Sequence, residues 1–348
     1  MPAVFPTRDI IVIGGSAGAV EPLRTLLGSL PRDLPAAIFV VVHLGQDSFL
    51  PSVLDRGSAL PVRAARAGDR FEHGRVYVAV PGFHLLLHDE HILLRRGPRE
   101  NHARPAIDPL FRSAAASFGS RVIGVVLSGS LSDGTAGLRA IKRCGGLAVV
   151  QKPEEALAPS MPRNALRRVE VDHVRAIADM PALLARLACE PADPAREAPL
   201  DIRLEAAIAA QELADMKVDD TLGQISPFTC PECHGALWEI RDGPMLRYRC
   251  HAGHAYTADA VLAAQGDEID RMLGTLQRAH QERAAFARRM AQQERAEQRH
   301  TLADRLETRA REYEEDAKLV LELIRNGFGA AAADDETAEA GGNGKDET

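Results

Sequence analysis

Residues 10–18 read Ile10-Ile11-Val12-Ile13-Gly14-Gly15-Ser16-Ala17-Gly18, a β-branched apolar run that stops at a glycine-rich turn carrying a serine. A short run of this kind, bounded by turn residues, predicts a strand covered on both faces, as parallel strands are. Two further runs repeat the pattern. Ile38 to Val42 ends at His43, and Val122 to Leu127 leads into Ser128-Gly129-Ser130-Leu131-Ser132-Asp133-Gly134. In open parallel sheets chemistry gathers outside the carboxyl ends of the strands, so Ser16, His43 and Asp133 are predicted to converge on one sheet edge. A serine hydroxyl becomes a nucleophile when a neighbouring base takes its proton, and the base needs a group that fixes its tautomer. The pattern points to a serine hydrolase, with N–H groups after Ser16 available to a tetrahedral oxyanion. A phosphate-cradling turn at Gly14–Gly18 is the competing reading, but it lacks the G-x-G-x-x-G spacing.

Outward from these runs, strand-like and helix-like stretches alternate from about Arg8 to Cys189. Val76–Val80, Leu85–Leu87 and Ile92–Leu94, with turn signals at Pro81-Gly82 and Asp89-Glu90, read as hairpin material. Helix Pro109–Phe118, strand Val122–Leu127, helix Gly134–Lys142 and strand Leu147–Gln151 complete the alternation. The fold class is α/β, a doubly wound, mainly parallel, Rossmann-like sheet with helices on both faces.

Composition narrows the function. A net charge of −7 over 348 residues leaves no general basic footprint for nucleic acid. The N-terminal residues lack the apolar core of a signal peptide, and no apolar run approaches the ~18 residues of a membrane span. Five cysteines, three of them clustered, argue against a disulfide scaffold, and Cys144 and Cys189 stand alone. A cytoplasmic protein without membrane insertion is expected.

Gly14-Gly15-Ser16-Ala17-Gly18, Val42-His43, Arg104-Pro105-Ala106-Ile107-Asp108-Pro109-Leu110-Phe111, Leu127–Leu138, Gln151-Lys152-Pro153 and Ser160-Met161-Pro162-Arg163-Asn164-Ala165 occur in this order. This series resembles the catalytic domain of chemotaxis protein-glutamate methylesterases of the CheB type, over about residues 8–190. The resemblance implies a Ser16–His43–Asp133 triad that needs no cofactor. It also implies hydrolysis of glutamate γ-methyl esters on chemoreceptor-like proteins with release of methanol, and glutamine deamidation as in some members. Its implied partners are those methylated receptors, a methyltransferase and other signalling proteins. The family's turn commonly reads G-A-S-T-G-G, where this chain has Ala17 and Ala19. Its aspartate loop often reads G-M-G-x-D-G, where Ser130 and Leu131 replace Met and Gly. Oxyanion support then falls to the backbone of Ala17 and Ser130, and a leucine in place of glycine restricts the backbone at 131. Only about nine residues precede the first strand, so a receiver domain ahead of the esterase, and control by phosphorylation in cis, are expected to be absent.

After the esterase-like stretch (1–190), residues 191–227 read as a Pro-rich linker with a short helix near Ile202–Ala214. Residues 228–260 carry Cys230-Pro231-Glu232-Cys233, then sixteen residues, then Cys250-His251-Ala252-Gly253-His254. An Asp242-Gly243 hairpin signal lies between the two pairs. This is zinc-ribbon spacing: Cys230, Cys233 and Cys250 supply thiolates, and His254 or His251 the fourth ligand, to a structural zinc. The linker predicts two separate cores, so that loss of the ribbon would leave the triad geometry intact. Residues 261–328 have helical periodicity, with neither Gly nor Pro from 275 to 326, and suit a coiled coil. Residues 329–348 read as a disordered tail. A second functional reading is a non-catalytic esterase-fold scaffold that binds signalling partners through its ribbon and helices.

Overall fold

The computed structural model describes residues 6–43, 49–194, 196–211 and 222–326. The expected tail at 329–348 lies outside them. The chain divides into two compact units, Met1–Val261 and Leu262–Thr348.

The first unit is built on seven strands: β1 (Ile10–Gly15), β2 (Ala37–Val42), β3 (Val62–Ala64), β4 (Arg75–Val78), β7 (Val122–Val126), β8 (Leu147–Gln151) and β9 (His173–Arg175). All pair in parallel, in the order β3-β4-β2-β1-β7-β8-β9. Successive side chains of a strand point to opposite faces, and the apolar runs divide accordingly. Ile10, Val12, Phe39, Val41, Val126 and Val150 enter one core layer, with α3 (Ile107–Phe118), α4 (Thr135–Arg143) and α5 (Ser160–Arg168) packed on it. Ile11, Ile13, Ile38, Val40, Val125 and Val149 enter the other, under α1 (Val20–Gly28), α2 (Leu50–Asp55) and α6 (Met180–Ala188). Burial on both faces is why these strands read as unbroken apolar runs. The hairpin β5 (His84–His88) and β6 (His91–Arg95) stands apart from the sheet and packs on α3, where Leu87 N–H donates to Ser113 Oγ (3.1 Å). The α3–α4 crossing is tight because Gly137 has no side chain: a Cβ there would lie 2.5 Å from Phe111 Cβ.

The expectation of a linker between separate cores is corrected. Helix α7 (Leu200–Ala209) packs on α3 and buries Glu205. The antiparallel sheet β10 (Gln224–Thr229), β11 (Ala236–Asp242), β12 (Met245–Cys250) and β13 (Ala255–Thr257) folds against the same region. Arg247 and Arg249 on β12 meet Glu205, and Arg249 meets Glu100 (3.5 Å), which is also paired with Arg112. Arg139 Nε donates to Asp242 (2.8 Å), and Arg168 Nη1 to Asp259 (2.8 Å). The Pro-rich composition of residues 191–199 disguised this because an ionic contact between distant segments leaves no periodic trace in the sequence.

The second unit is a helical hairpin, formed by α8 (Ala258–Ala296) from Leu262 onward and α9 (His300–Arg325). Arg288–Glu314 (2.6 Å) and Arg295–Asp304 (2.9 Å) make the two helices antiparallel. Buried alanines, among them Ala284, Ala291, Ala303 and Ala310, line the seam. Among the described residues no helix is long and apolar enough to cross a membrane.

Candidate active site and cysteine–histidine centre

Ser16, His43 and Asp133 meet at the carboxyl edge of the sheet, where the chain's path switches from the β2 side of β1 to β7. Ser16 follows β1, and its N–H donates to Ser128 O (2.9 Å) beyond β7. His43 follows β2, and its N–H donates to Gly15 O (3.2 Å). Neighbouring parallel strands therefore set serine and histidine side by side. A Cβ on Gly129 would lie 3.0 Å from Ser16 Cβ, so this glycine clears the space beside the serine. His43 Nε2 is 2.8 Å from Asp133 Oδ2, which leaves Nδ1 as the ring nitrogen available for the serine proton. Among the described residues no hydrogen bond joins Ser16 Oγ to the ring, as is common before substrate binds.

Asp133 is almost fully buried and takes donors from every side. Ile107 N–H (2.7 Å) and Asp108 N–H (3.2 Å), at the start of α3, point at it, as do Gly134 N–H (3.0 Å) and Asn101 Nδ2 (2.9 Å). A helix N-terminus offers such unpaired donors and a favourable dipole to an anion. Burial opposes ionisation of Asp133, but the His43 hydrogen bond and charge, then Ile107 N–H and the Asn101 amide, outweigh it and hold its carboxyl down at about 2. The neighbouring Asp108 goes the other way: burial, then the Asp133 charge, push it up to about 8. Near neutral pH the pair therefore carries one charge, on Asp133.

This splitting predicts a pH-dependent stability. A carboxyl whose folded pKa is raised contributes its full stability below the ordinary 3.8 and loses it as pH rises through about 8. Unfolding by denaturant between pH 5 and 8 is expected to show wild-type stability falling relative to Asp108→Asn, by at most about 1.4 kcal/mol per pH unit. Parallel curves would show that Asp108 does not hold the proton.

The sequence-predicted oxyanion groups stand at the same edge. Among the described residues the N–H groups of Ala17 and Ser130 have no acceptor, while their neighbours' N–H groups at Ser16 and Gly129 are bonded. Leu131 adopts φ +62°, the left-handed conformation that glycine takes without strain, and Asn164 Nδ2 donates to its carbonyl (3.0 Å).

In the ribbon the ligand atoms of Cys230, Cys233, Cys250 and His254 lie within 4.8 Å of one another. Cys233 Sγ to Cys250 Sγ is 3.6 Å, and His254 Nδ1 is 3.4 Å from Cys250 Sγ and 3.7 Å from Cys230 Sγ. A tetrahedron with ordinary zinc–sulfur and zinc–nitrogen bonds has edges of ~3.5–3.8 Å, and these three of the six separations lie close to that. His254 Nε2 faces Glu232 Oε2 (3.3 Å), the outer carboxylate that commonly orients a metal-bound histidine. Hydrogen bonding with Cys250, opposed by burial and aided by His254 and Tyr256, drives the Cys230 thiol toward thiolate. His251 is exposed and outside the group, so the geometry selects His254.

Sequence reasoning missed Asn101 and Thr257, whose backbone and side chains tie the ribbon to Asp133. It read Asp108 only as part of a motif. A lone asparagine in a loop gives no periodic signal; only its tolerance of the left-handed conformation sets it apart.

Residues 11–184 match the CheB methylesterase family. A relative from Leptospira interrogans is 38% identical over 182 residues, covering 51% of this chain and 94% of that one. Protein-glutamate methylesterase/protein-glutamine glutaminase 2 of Methanosarcina acetivorans is 38% identical over 190 residues, covering 52% of this chain and 53% of that one. The chain therefore spans about half the length of the methanogen relative. The Thermotoga maritima CheB methylesterase catalytic domain superposes with a TM-score of 0.50 at 31% identity, covering 51% of this chain and 98% of that one. The match begins within β1, ends within α6 and spans Ser16, His43 and Asp133. By this match the chain belongs to the CheB methylesterase family.

Proposed function

We propose that this protein is a cytoplasmic serine esterase that demethylates glutamate γ-methyl esters on chemoreceptor-like proteins. The observation that carries the reading is the 2.8 Å His43 Nε2–Asp133 Oδ2 bond beside Ser16, with two N–H groups at the same edge that have no acceptor among the described residues. Ser16 Oγ attacks the ester carbonyl while His43 Nδ1 takes its proton, and Asp133 stabilises the imidazolium. The N–H groups of Ala17 and Ser130 receive the oxyanion. Collapse expels methoxide, which leaves as methanol with the proton from His43, and an acyl-Ser16 ester remains. Water, deprotonated by the same ring, then releases the glutamate carboxylate. A glutamine side chain at this site would lose ammonia by the same steps. The test is methanol release from receptor membranes methylated beforehand. Release above the membrane blank supports the reading, and none overturns it.

The ribbon is read as a structural zinc unit held by Cys230, Cys233, Cys250 and His254. Four protein ligands leave no open position for catalysis. The full chain is expected to carry one zinc, to lose it in Cys230→Ser, and to melt lower without it, because so small a sheet buries too little apolar surface to hold itself. Metal analysis of the purified chain well below one zinc, with the ribbon still resistant to protease, would contradict this. In the second unit the seven-residue spacing of buried Ala303, Ala310 and Ala317 supports a coiled-coil reading of the hairpin.

A further inference from the structure

We infer that the ribbon is a working part of the esterase site: strand β13 positions the triad aspartate through Asn101, so that occupancy of the Cys230–Cys233–Cys250–His254 centre controls turnover. The inference rests on the esterase and zinc readings above.

The path is short. His254 directly precedes β13, and β13 pairs with β12, whose last residue is Cys250. Cys250 N–H donates to His254 O (3.0 Å), closing the ligand turn onto the strand. The other edge of β13 grips Asn101: Asn101 N–H donates to Ala255 O (2.8 Å), and Thr257 N–H donates to Asn101 Oδ1 (3.0 Å). That second bond fixes which way the amide points, because only its oxygen can accept. The NH2 end then faces two carboxyl groups and gives one hydrogen to Asp133 Oδ1 (2.9 Å) and the other to Asp108 Oδ2 (3.0 Å). Asn101 sits at φ +48°, where asparagine is among the few tolerated side chains.

The residues flanking Asn101 are tied to the ribbon as well. Glu100 meets Arg249, and the His102 ring packs at a tilt against Tyr256 (centroids 4.9 Å apart) and faces Glu232 (3.4 Å), the carboxylate behind His254. A second strut joins Ser132 Oγ, next to the aspartate, to Thr257 Oγ1 (2.7 Å), both fully buried. If the metal leaves and β13 frays, Asn101 loses the bond that orients its amide, and the buried Asp133 carboxylate loses a donor. A displacement of about 1 Å in a catalytic group is enough for a ~10²-fold loss of rate. Asn101 is thus a positioning residue that acts through Asp133.

The test uses the zinc-loaded full chain and a small ester that needs no receptor docking. Asn101→Ala and the isosteric Asn101→Asp are expected to keep one zinc yet lower kcat ~10²-fold with little change in KM. Chelation should lower kcat similarly, and added zinc should restore it. In each case the downfield proton resonance of the His43–Asp133 hydrogen bond should move or vanish, a signature that general loss of packing at the ribbon surface would not give. Arg241→Ser, on the exposed side of the ribbon, should change none of these. Asn101 variants with kcat within about twofold of wild type and an unmoved resonance would overturn the inference. So would a chain shown by metal analysis to be stripped that turns over at the wild-type rate. Failure of the underlying readings shows separately, as a chain that binds no zinc or as full turnover by Ser16→Ala.

Discussion

Replacing Ser16 by alanine is expected to lower kcat for ester hydrolysis by ~10⁴-fold or more, with the melting temperature unchanged within a few degrees. The serine sits in a turn at the sheet edge, half-buried, and its backbone bonds to Ser128 and Ala19 do not need the hydroxyl. Its removal therefore deletes the proposed nucleophile and little else. Nucleophile and base act as a unit, so Ser16→Ala/His43→Ala should be little slower than Ser16→Ala alone. Asp133→Asn should also be slow, and should cost stability in addition, because Asp133 is the acceptor for the N-terminus of α3. The comparison of kcat and melting temperature across these variants separates the roles: serine chemical, aspartate both chemical and structural. Wild-type turnover by Ser16→Ala would place the nucleophile elsewhere.

The largest effect on stability is expected at Glu205. It is fully buried on α7 between Arg112, Arg247 and Arg249. Burial alone would favour its neutral form, but Arg247, Arg112 and Arg249 outweigh that and hold its carboxyl below the usual range. Glu205→Ala leaves buried guanidinium groups short of a counter-charge, and breaking a buried ion pair from one side costs about 3–5 kcal/mol. Chemical denaturation should show that loss, and proteolysis should reach the ribbon first, since two of the three arginines lie on β12. The exposed pair Arg203–Glu197 serves as contrast, where Glu197→Ala should cost no more than about 1 kcal/mol. The depressed pKa fixes the sign of the pH dependence: the contribution of Glu205 is present above its ordinary 4.5 and is lost as pH falls through its folded value. A loss under about 1 kcal/mol in Glu205→Ala would show that the ribbon is held by other contacts.

The sheet and its site were legible because burial on both faces writes itself into the sequence. Three unbroken β-branched runs gave β1, β2 and β7, and the residues after two of them are Ser16 and His43; Val76–Val80, read as hairpin material beside its turn signal, is instead β4, a parallel strand between β2 and β3. Cysteine spacing likewise announced the four-ligand cluster, although only geometry chose His254 over His251. What the sequence hid depends on contacts between distant segments. Glu205 looks like any charged residue on a ten-residue helix, and Asn101 like any loop asparagine. Neither carries a period, and each acquires its role only when β12 and β13 close against it. The Pro-rich stretch before α7 misled for the same reason, since composition reports local chain preference and says nothing of what α7 and the ribbon meet.

In the proposed mechanism Ser16 is a nucleophile activated by His43 through the ring nitrogen opposite Asp133. The most direct measurement is the intact mass and peptide map of the full chain after brief exposure to a reactive fluorophosphonate. One adduct is expected, on Ser16, formed fast in wild type, slowly in His43→Ala and Asp133→Asn, and not at all in Ser16→Ala. An adduct on another residue, or labelling of Ser16 that is equally fast in the His43 variant, would contradict it.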